Sequence, residues 1–157
     1  MSVANLHKIE FRILGVGWEG ALAEFFQAIS GAGDERFFHP HPLTREEAER
    51  RCRYVGQDAY YICTEGTIVL GYGMLRGWDA GYEVPGLGIA ISPLARGKGL
   101  ATAMVHFLHA VASCRGAERV RIKVYPDNSQ ALKLYKKIGY HICGEEDGQY
   151  VAFYQLL

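Results

Sequence analysis

The run Arg96-Gly97-Lys98-Gly99-Leu100-Ala101-Thr102 puts two glycines and two cations where an amphipathic helical pattern begins. The first turn of a helix exposes backbone N–H groups that have no intrahelical partner, and the aligned peptide dipoles add partial positive charge there. Glycine lets a ligand approach the backbone closely. Arg96 and Lys98 add full charges. The chemistry on offer is the binding of a phosphate or pyrophosphate. Taken alone, the glycines fit a plain strand-to-helix turn equally well. Two familiar phosphate patterns are absent. A P-loop needs G-x-x-x-x-G-K-[ST], which does not occur, and Thr102 stands where the dinucleotide fingerprint needs a glycine or alanine.

Other side chains carry weaker signals. Tyr135 shares one helical face with Ala131, Leu134 and Ile138, and that periodicity by itself makes it a core tyrosine. Asn128 precedes a helical pattern and suits an N-cap. Glu83 reads as a solvent-facing residue of a strand-like stretch, beside Tyr82. Phe37-Phe38-His39-Pro40-His41-Pro42 has prolines at alternate positions and cannot be regular helix. It is either a rigid connector whose phenylalanines plug the core or a wall that grips a polar, ring-like ligand. His39 and His41 have no carboxylate or thiol partner in a ligand pattern, so no metal is expected. His106 and His109, at i and i+3, read as the solvated edge of their helix. Cys52, Cys63, Cys114 and Cys143 form no C-x-x-C pair and read as reduced thiols of a cytosolic protein.

These residues need elements to position them. Lys8 to Leu14 alternates as a first strand, and Leu22, Phe25, Phe26 and Ile29 share a helical face that ends at Gly31-Ala32-Gly33. Thr44-Arg45-Glu46-Glu47 fits a capping box opening a short helix to about Arg53. Ala59–Thr64 and Thr67–Leu75 are strand-like about a Glu65-Gly66 turn. Tyr82–Ile91 reads as a strand bent or bulged at Pro85 and Gly86. Leu100, Ala103, Met104, Phe107, Leu108 and Val111 mark a strongly amphipathic helix. Val120–Tyr125 is a strand, Ser129–Ile138 a helix, and Tyr140–Cys143 with Gln149–Leu156 a closing hairpin.

The predicted order is β-α-α-β-β-β-α-β-α-β-β. Leu87–Ile91, Leu100–Cys114 and Val120–Tyr125 form a β-α-β unit with parallel strands and a right-handed crossover. Hairpins elsewhere make the sheet mixed. The 157 residues suggest one α/β domain, of α+β type, over 1–157. Lys+Arg and Asp+Glu both number 17, a balance that argues against a general nucleic-acid binder. The start shows no signal-peptide pattern and no apolar run is long enough to cross a membrane, so a cytoplasmic protein with no membrane partner is expected.

A resemblance adds to this reading. Arg96-Gly97-Lys98-Gly99-Leu100-Ala101 matches [RQ]-x-x-G-x-[GA], the pyrophosphate-binding signature of the GNAT superfamily of acyl-CoA-dependent N-acetyltransferases. Leu87-Gly88-Ile89-Ala90-Ile91-Ser92-Pro93 looks like that family's preceding strand. Asn128-Ser129-Gln130-Ala131-Leu132-Lys133-Leu134-Tyr135-Lys136-Lys137-Ile138-Gly139-Tyr140 resembles its N-x-x-A-x-x-L-Y-x-K-x-G-[FY] segment. The resemblance implies a mixed sheet of about seven strands flanked by four helices, with the parallel fourth and fifth strands splayed apart.

It also implies roles. Arg96, Gly97, Lys98, Gly99, Leu100 and Ala101 would cradle the pyrophosphate of acetyl-CoA, and backbone groups of Ile89, Ala90 and Ile91 would hold its pantetheine arm. Asn128 would lie near the cofactor, Tyr135 would be the proton donor to the leaving thiolate, and Glu83 a general base. The implied activity is N-acetyl transfer to a primary amine by direct attack in a ternary complex, since no cysteine is placed as an acyl carrier. The expected acceptor is a small molecule, with an amino sugar or its nucleotide-linked form as the first class to try. A protein or peptide amine is the alternative within that activity, and a non-catalytic acyl-CoA-binding regulatory module the alternative outside it. The resemblance leaves a homodimer open, with the C-terminal strands or Trp78 as interface.

Overall fold

The computed structural model describes residues 8–156. The elements are β1 (Ile9–Ile13), α1 (Glu19–Gly31), a 3-10 turn (Asp34–Arg36), α2 (Arg45–Cys52), β2 (Ala59–Glu65), β3 (Ile68–Arg76) and β4 (Gly86–Ile91). After a second 3-10 turn (Pro93–Ala95) come α3 (Leu100–Cys114), β5 (Arg119–Val124), α4 (Ser129–Ile138), β6 (His141–Glu146) and β7 (Gln149–Gln155). The strands form one sheet in the order β1-β2-β3-β4-β5-β7-β6. The β4–β5 pair is parallel and every other pair antiparallel. The expected mixed seven-stranded architecture with four helices is therefore what the chain adopts.

Helices cover both faces because the central strands β2 and β3 are buried on both sides. Leu22, Phe25, Phe26 and Ile29 of α1 and Ala48 of α2 pack on Ile62, Tyr72 and Met74. Val105, Leu108 and Ala112 of α3 and Tyr135 of α4 pack on the other face with Leu75, Val120 and Ile122. The axis of α3 crosses β3 closely because Gly71 and Gly73 carry no side chain. A Cβ at either glycine would lie 2.8 Å from the end of the Met104 side chain, so a larger residue there would force Met104 to repack.

Several local expectations are corrected. The stretch Tyr82–Pro85 is outside the strand, and β4 begins at Gly86. Pro85 has no N–H to give a ladder, while its carbonyl accepts from Arg121 N–H at 2.9 Å. The β2–β3 turn is Gly66-Thr67, because Glu65 pairs with Ile68. Thr44 caps α2 by accepting from Glu47 N–H at 3.1 Å. The reciprocal half of the capping box is missing because the buried Glu47 carboxylate pairs with Arg50 and Arg51 instead. The buried face of α3 is rotated from the one expected. His109 is buried and Ala103 is exposed, since His109 meets the aromatic rings of the C-terminal half.

Candidate active site

The strands β4 and β5 join only at one end. Gly86 pairs with Arg121, and no later residue of β4 has a partner on β5. Each strand is held along its whole length by its other neighbour, β4 by β3 and β5 by β7, so the two diverge. The alternation of backbone groups along β4 fixes what faces the gap. Pro85 carbonyl faces β5 and Ser92 N–H faces β3, donating to Leu70 carbonyl at 2.8 Å. By that parity Ile89 and Ile91 turn their backbone groups into the gap. Ala90 turns its own toward β3, where it pairs with Tyr72. Of the three residues expected to hold an arm by backbone bonds, Ile89 and the N–H of Ile91 are thus available, the Ile91 carbonyl being taken by Arg96, and Ala90 supplies wall.

A cavity of about 600 Å³ fills this opening. Ile89, Ala90, Ile91 and Arg96 line it, as do Gly97, Gly99, Leu100 and Ala101. Gly97 and Gly99 have φ of 74° and 83°, the left-handed region that favours glycine. Nothing lies within 4 Å of the space a side chain would fill at either. Gly99 is the N-cap of α3 and no side chain caps that helix. The orphan N–H groups of the first turn are open to a ligand.

The two cations behave differently. Lys98 is exposed and lies outside the cavity lining. Arg96 donates from Nε and Nη2 to Ile91 carbonyl at 3.2 and 3.1 Å, and it forms an ion pair with Asp34. Arg96 therefore braces the end of β4 and is not a free charge.

Tyr135 stands on the opposite wall, on α4. It is 8% exposed. Burial pushes its hydroxyl well above the usual tyrosine range, so it remains protonated at neutral pH. Asn128 lines the cavity and also caps α4, its Oδ1 accepting from Ala131 N–H at 3.3 Å. The N-cap role and a place on the cavity wall coincide in one residue.

Glu83 is not brought to this place. It lines a second cavity, with Trp78, Tyr82 and Arg115, at the end where β4 and β5 are still joined. The turn before Pro85 puts it there, so its expected role as base is not supported by geometry.

The loop between α1 and α2 forms the remaining wall, with Phe37 and Phe38 against the cavity. Its histidines do not face it as a pair. His41 Nδ1–H donates to Pro42 carbonyl and Nε2 accepts from Tyr72 hydroxyl, both at 2.8 Å. Burial lowers its basicity. His39 Nε2 shares a 2.8 Å hydrogen bond with Tyr125 hydroxyl.

A sequence model of the acetyltransferase (GNAT) family matches residues 22–140, well over half of the chain. The chain belongs to the GNAT acetyltransferase family. Its fold is shared with solved members. The GNAT domain of PAT from S. lividans is 22% identical, with a TM-score of 0.80 over 94% of this chain and 90% of that one. A GCN5-related N-acetyltransferase from Kribbella flavida is 20% identical, with a TM-score of 0.74 over 94% and 97%. The PaiA N-acetyltransferase of Thermoplasma acidophilum, solved in complex with coenzyme A, is 14% identical, with a TM-score of 0.77 over 94% and 99%.

The residues of this GNAT chain fit coenzyme A. The open space before Gly97 and Gly99 and the uncapped first turn of α3 suit a pyrophosphate, and the free strand edge at Ile89 and Ile91 suits an amide-bearing arm. Among the described residues no group of histidines, cysteines or carboxylates could hold a metal ion, and no helix is long and apolar enough to cross a membrane. Sequence reasoning missed Asp34, Arg36 and Asp127. Asp34 pairs with Arg96 and Arg36 with Asp127, so the 3-10 turn reaches both walls. The partners lie far apart in the chain, and no local pattern signals such pairs.

Proposed function

We propose that this protein is an acetyl-CoA-dependent N-acetyltransferase that acylates the primary amine of a small molecule by direct attack in a ternary complex. One observation carries the reading. The glycine turn, the unpaired edge of β4 and the Tyr135 side chain line a single cavity. Bound acetyl-CoA supplies an activated acyl group as a thioester. The N–H groups of the α3 first turn hold the diphosphate, with Gly97 and Gly99 letting it approach. A free N–H of Ile89 or Ile91 orients the carbonyl and stabilises negative charge that develops on its oxygen. The Tyr135 hydroxyl, protonated at neutral pH, gives its proton to the departing sulfur. An attacking alkyl amine, normally protonated near neutral pH, first loses a proton to solvent.

The rim of the cavity supports a small acceptor. The 3-10 turn spans it through Asp34–Arg96 and Arg36–Asp127, and Phe37 closes one side. A pocket of this form suits a small amine better than a peptide, which needs an open groove. Because half-buried His41 is engaged by Pro42 and Tyr72, and Phe37 and Phe38 face the cavity, the acceptor is left as a small primary amine without a sugar specified.

The test is thiol release from acetyl-CoA against amino sugars, nucleotide-linked amino sugars, polyamines, amino acids and short peptides, with coenzyme A binding measured alongside. Turnover with a small amine is the expected result. Turnover only with peptides would overturn the acceptor class. Tight coenzyme A binding with no acceptor-dependent release would favour a regulatory module.

A further inference from the structure

The core between α3, α4 and β7 contains polar groups that packing alone does not require. His109 is 6% exposed and Tyr140 4% exposed. A hydrogen bond of 2.6 Å joins His109 Nε2 and the Tyr140 hydroxyl. The imidazole stacks on Tyr154 of β7 at 4.3 Å between centroids, with 19° between planes. The Tyr140 ring meets the Tyr135 ring edge-on at 5.1 Å and 73°. Its backbone N–H donates to the carbonyl of Tyr135 itself at 2.9 Å. Leucine or phenylalanine would fill such space without a polar group to satisfy. A buried polar pair is satisfied only at one relative placement, so it specifies geometry as well as filling volume.

We propose that His109 and Tyr140 are positioning residues for Tyr135, their hydrogen bond fixing α4 relative to α3. The proposal rests on the reading of Tyr135 as proton donor. The helix α3 begins at the glycine turn that takes the diphosphate, and His109 sits roughly 15 Å further along its axis. One end of α3 thus sets where the cofactor lies, and the other end holds the ring that backs Tyr135. The distance between bound thioester and donated proton is fixed through a rigid helix and one hydrogen bond. Misplacement of a catalytic group by about 1 Å can cost a large factor in rate, so breaking this link acts on turnover more than on cofactor affinity.

The experiment compares wild type with His109→Phe, His109→Gln, Tyr140→Phe, Tyr135→Phe and the His109→Phe/Tyr135→Phe double variant. Thiol release from acetyl-CoA is measured with the amine that the acceptor panel identifies, and without it as basal hydrolysis. Coenzyme A Kd and Tm are measured on each protein. His109→Phe keeps the stack and loses the hydrogen bond. We expect its kcat to fall about tenfold with the coenzyme A Kd within about twofold. His109→Gln, which retains a nitrogen near the Nε2 position, should recover most of that loss. In the Tyr135→Phe background His109→Phe should add nothing.

A folded His109→Phe with unchanged kcat, or a parallel loss of kcat and coenzyme A affinity without rescue by Gln, would overturn the proposal. So would a further loss on top of Tyr135→Phe. If His109→Phe does not fold, Tyr140→Phe decides, since it removes only one oxygen. An unchanged rate in Tyr135→Phe sinks the proton-donor reading and this proposal with it. An unchanged rate in His109→Phe beside an impaired Tyr135→Phe sinks the positioning role alone.

Discussion

The two ends of the β4–β5 pair make opposite sites from the same strands. Where Gly86 meets Arg121 the strands are joined, and the cavity beside them, about 570 Å³, is walled by side chains such as Trp78, Glu83, Arg115 and Arg119. Where Ile91 and Val124 have parted, the cavity is about 600 Å³ and adds to its side chains the backbone groups of β4, Gly97, Gly99 and the start of α3. Volume does not distinguish them. Preorganisation does: backbone N–H groups fixed by a sheet and a helix need no rearrangement to meet developing charge, whereas exposed side chains are solvated and screened.

The largest expected effect is at Tyr135, the proposed proton donor. Tyr135→Phe should lower kcat by roughly ten- to a thousandfold, while Glu83→Gln at the joined end should change it less than about twofold. Acetyl-CoA kinetics check both. A large loss in Glu83→Gln would return the joined end to the chemistry.

A matched pair of glycines sharpens the comparison further. Gly99 and Gly81 both have positive φ, 83° and 85°, and both face open space. One opens α3 at the splayed end and the other lines the cavity at the joined end. Valine at either position introduces strain of about 1–3 kcal/mol. Gly99→Val should weaken coenzyme A binding by about tenfold or more, and Gly81→Val should cost stability alone. Calorimetric titration with coenzyme A and thermal melts separate the two effects.

A separate expected effect concerns acid. Burial lowers the pKa of His109 to about 4, helped by the nearby His106. The unfolded chain binds that proton at a higher pH than the folded one. His109 therefore contributes stability fully above about pH 6.5, and the contribution falls as pH drops toward about 4. His41 acts with the same sign. Denaturant unfolding between pH 7 and 4 should show a stability slope of up to about 1.4 kcal/mol per pH unit that His109→Gln removes. Equal slopes in both proteins would mean that His109 titrates normally.

How much was legible can be traced residue by residue. The α4 segment came out with its bounds intact because its signals are local. Asn128 caps it, apolar residues recur at helical spacing, and Gly139 follows. The glycine turn was legible for the same reason. Resemblance, and not periodicity, moved Tyr135 from the core to the site, and the structure has it in both, buried and lining the cavity. His109 was misread because a histidine at i+3 from another looks like a polar edge. Only the arrival of Tyr140 and Tyr154 from elsewhere in the chain makes its position interior. The arginine of the glycine turn was read as free charge because its partner, Asp34, is 62 residues away.

Local signals along the chain set the succession of elements, the crossover that makes β4 and β5 parallel, and the glycine turn that opens α3. Each depends on residues within a few positions of one another, through backbone conformation, capping and periodic burial. Tertiary structure alone decided where the strands part, which cation stays free, which carboxylate is kept away from the cavity and what stands behind Tyr135. Those outcomes depend on which distant segments share space, and a pairing energy between residues far apart leaves no mark in local spacing.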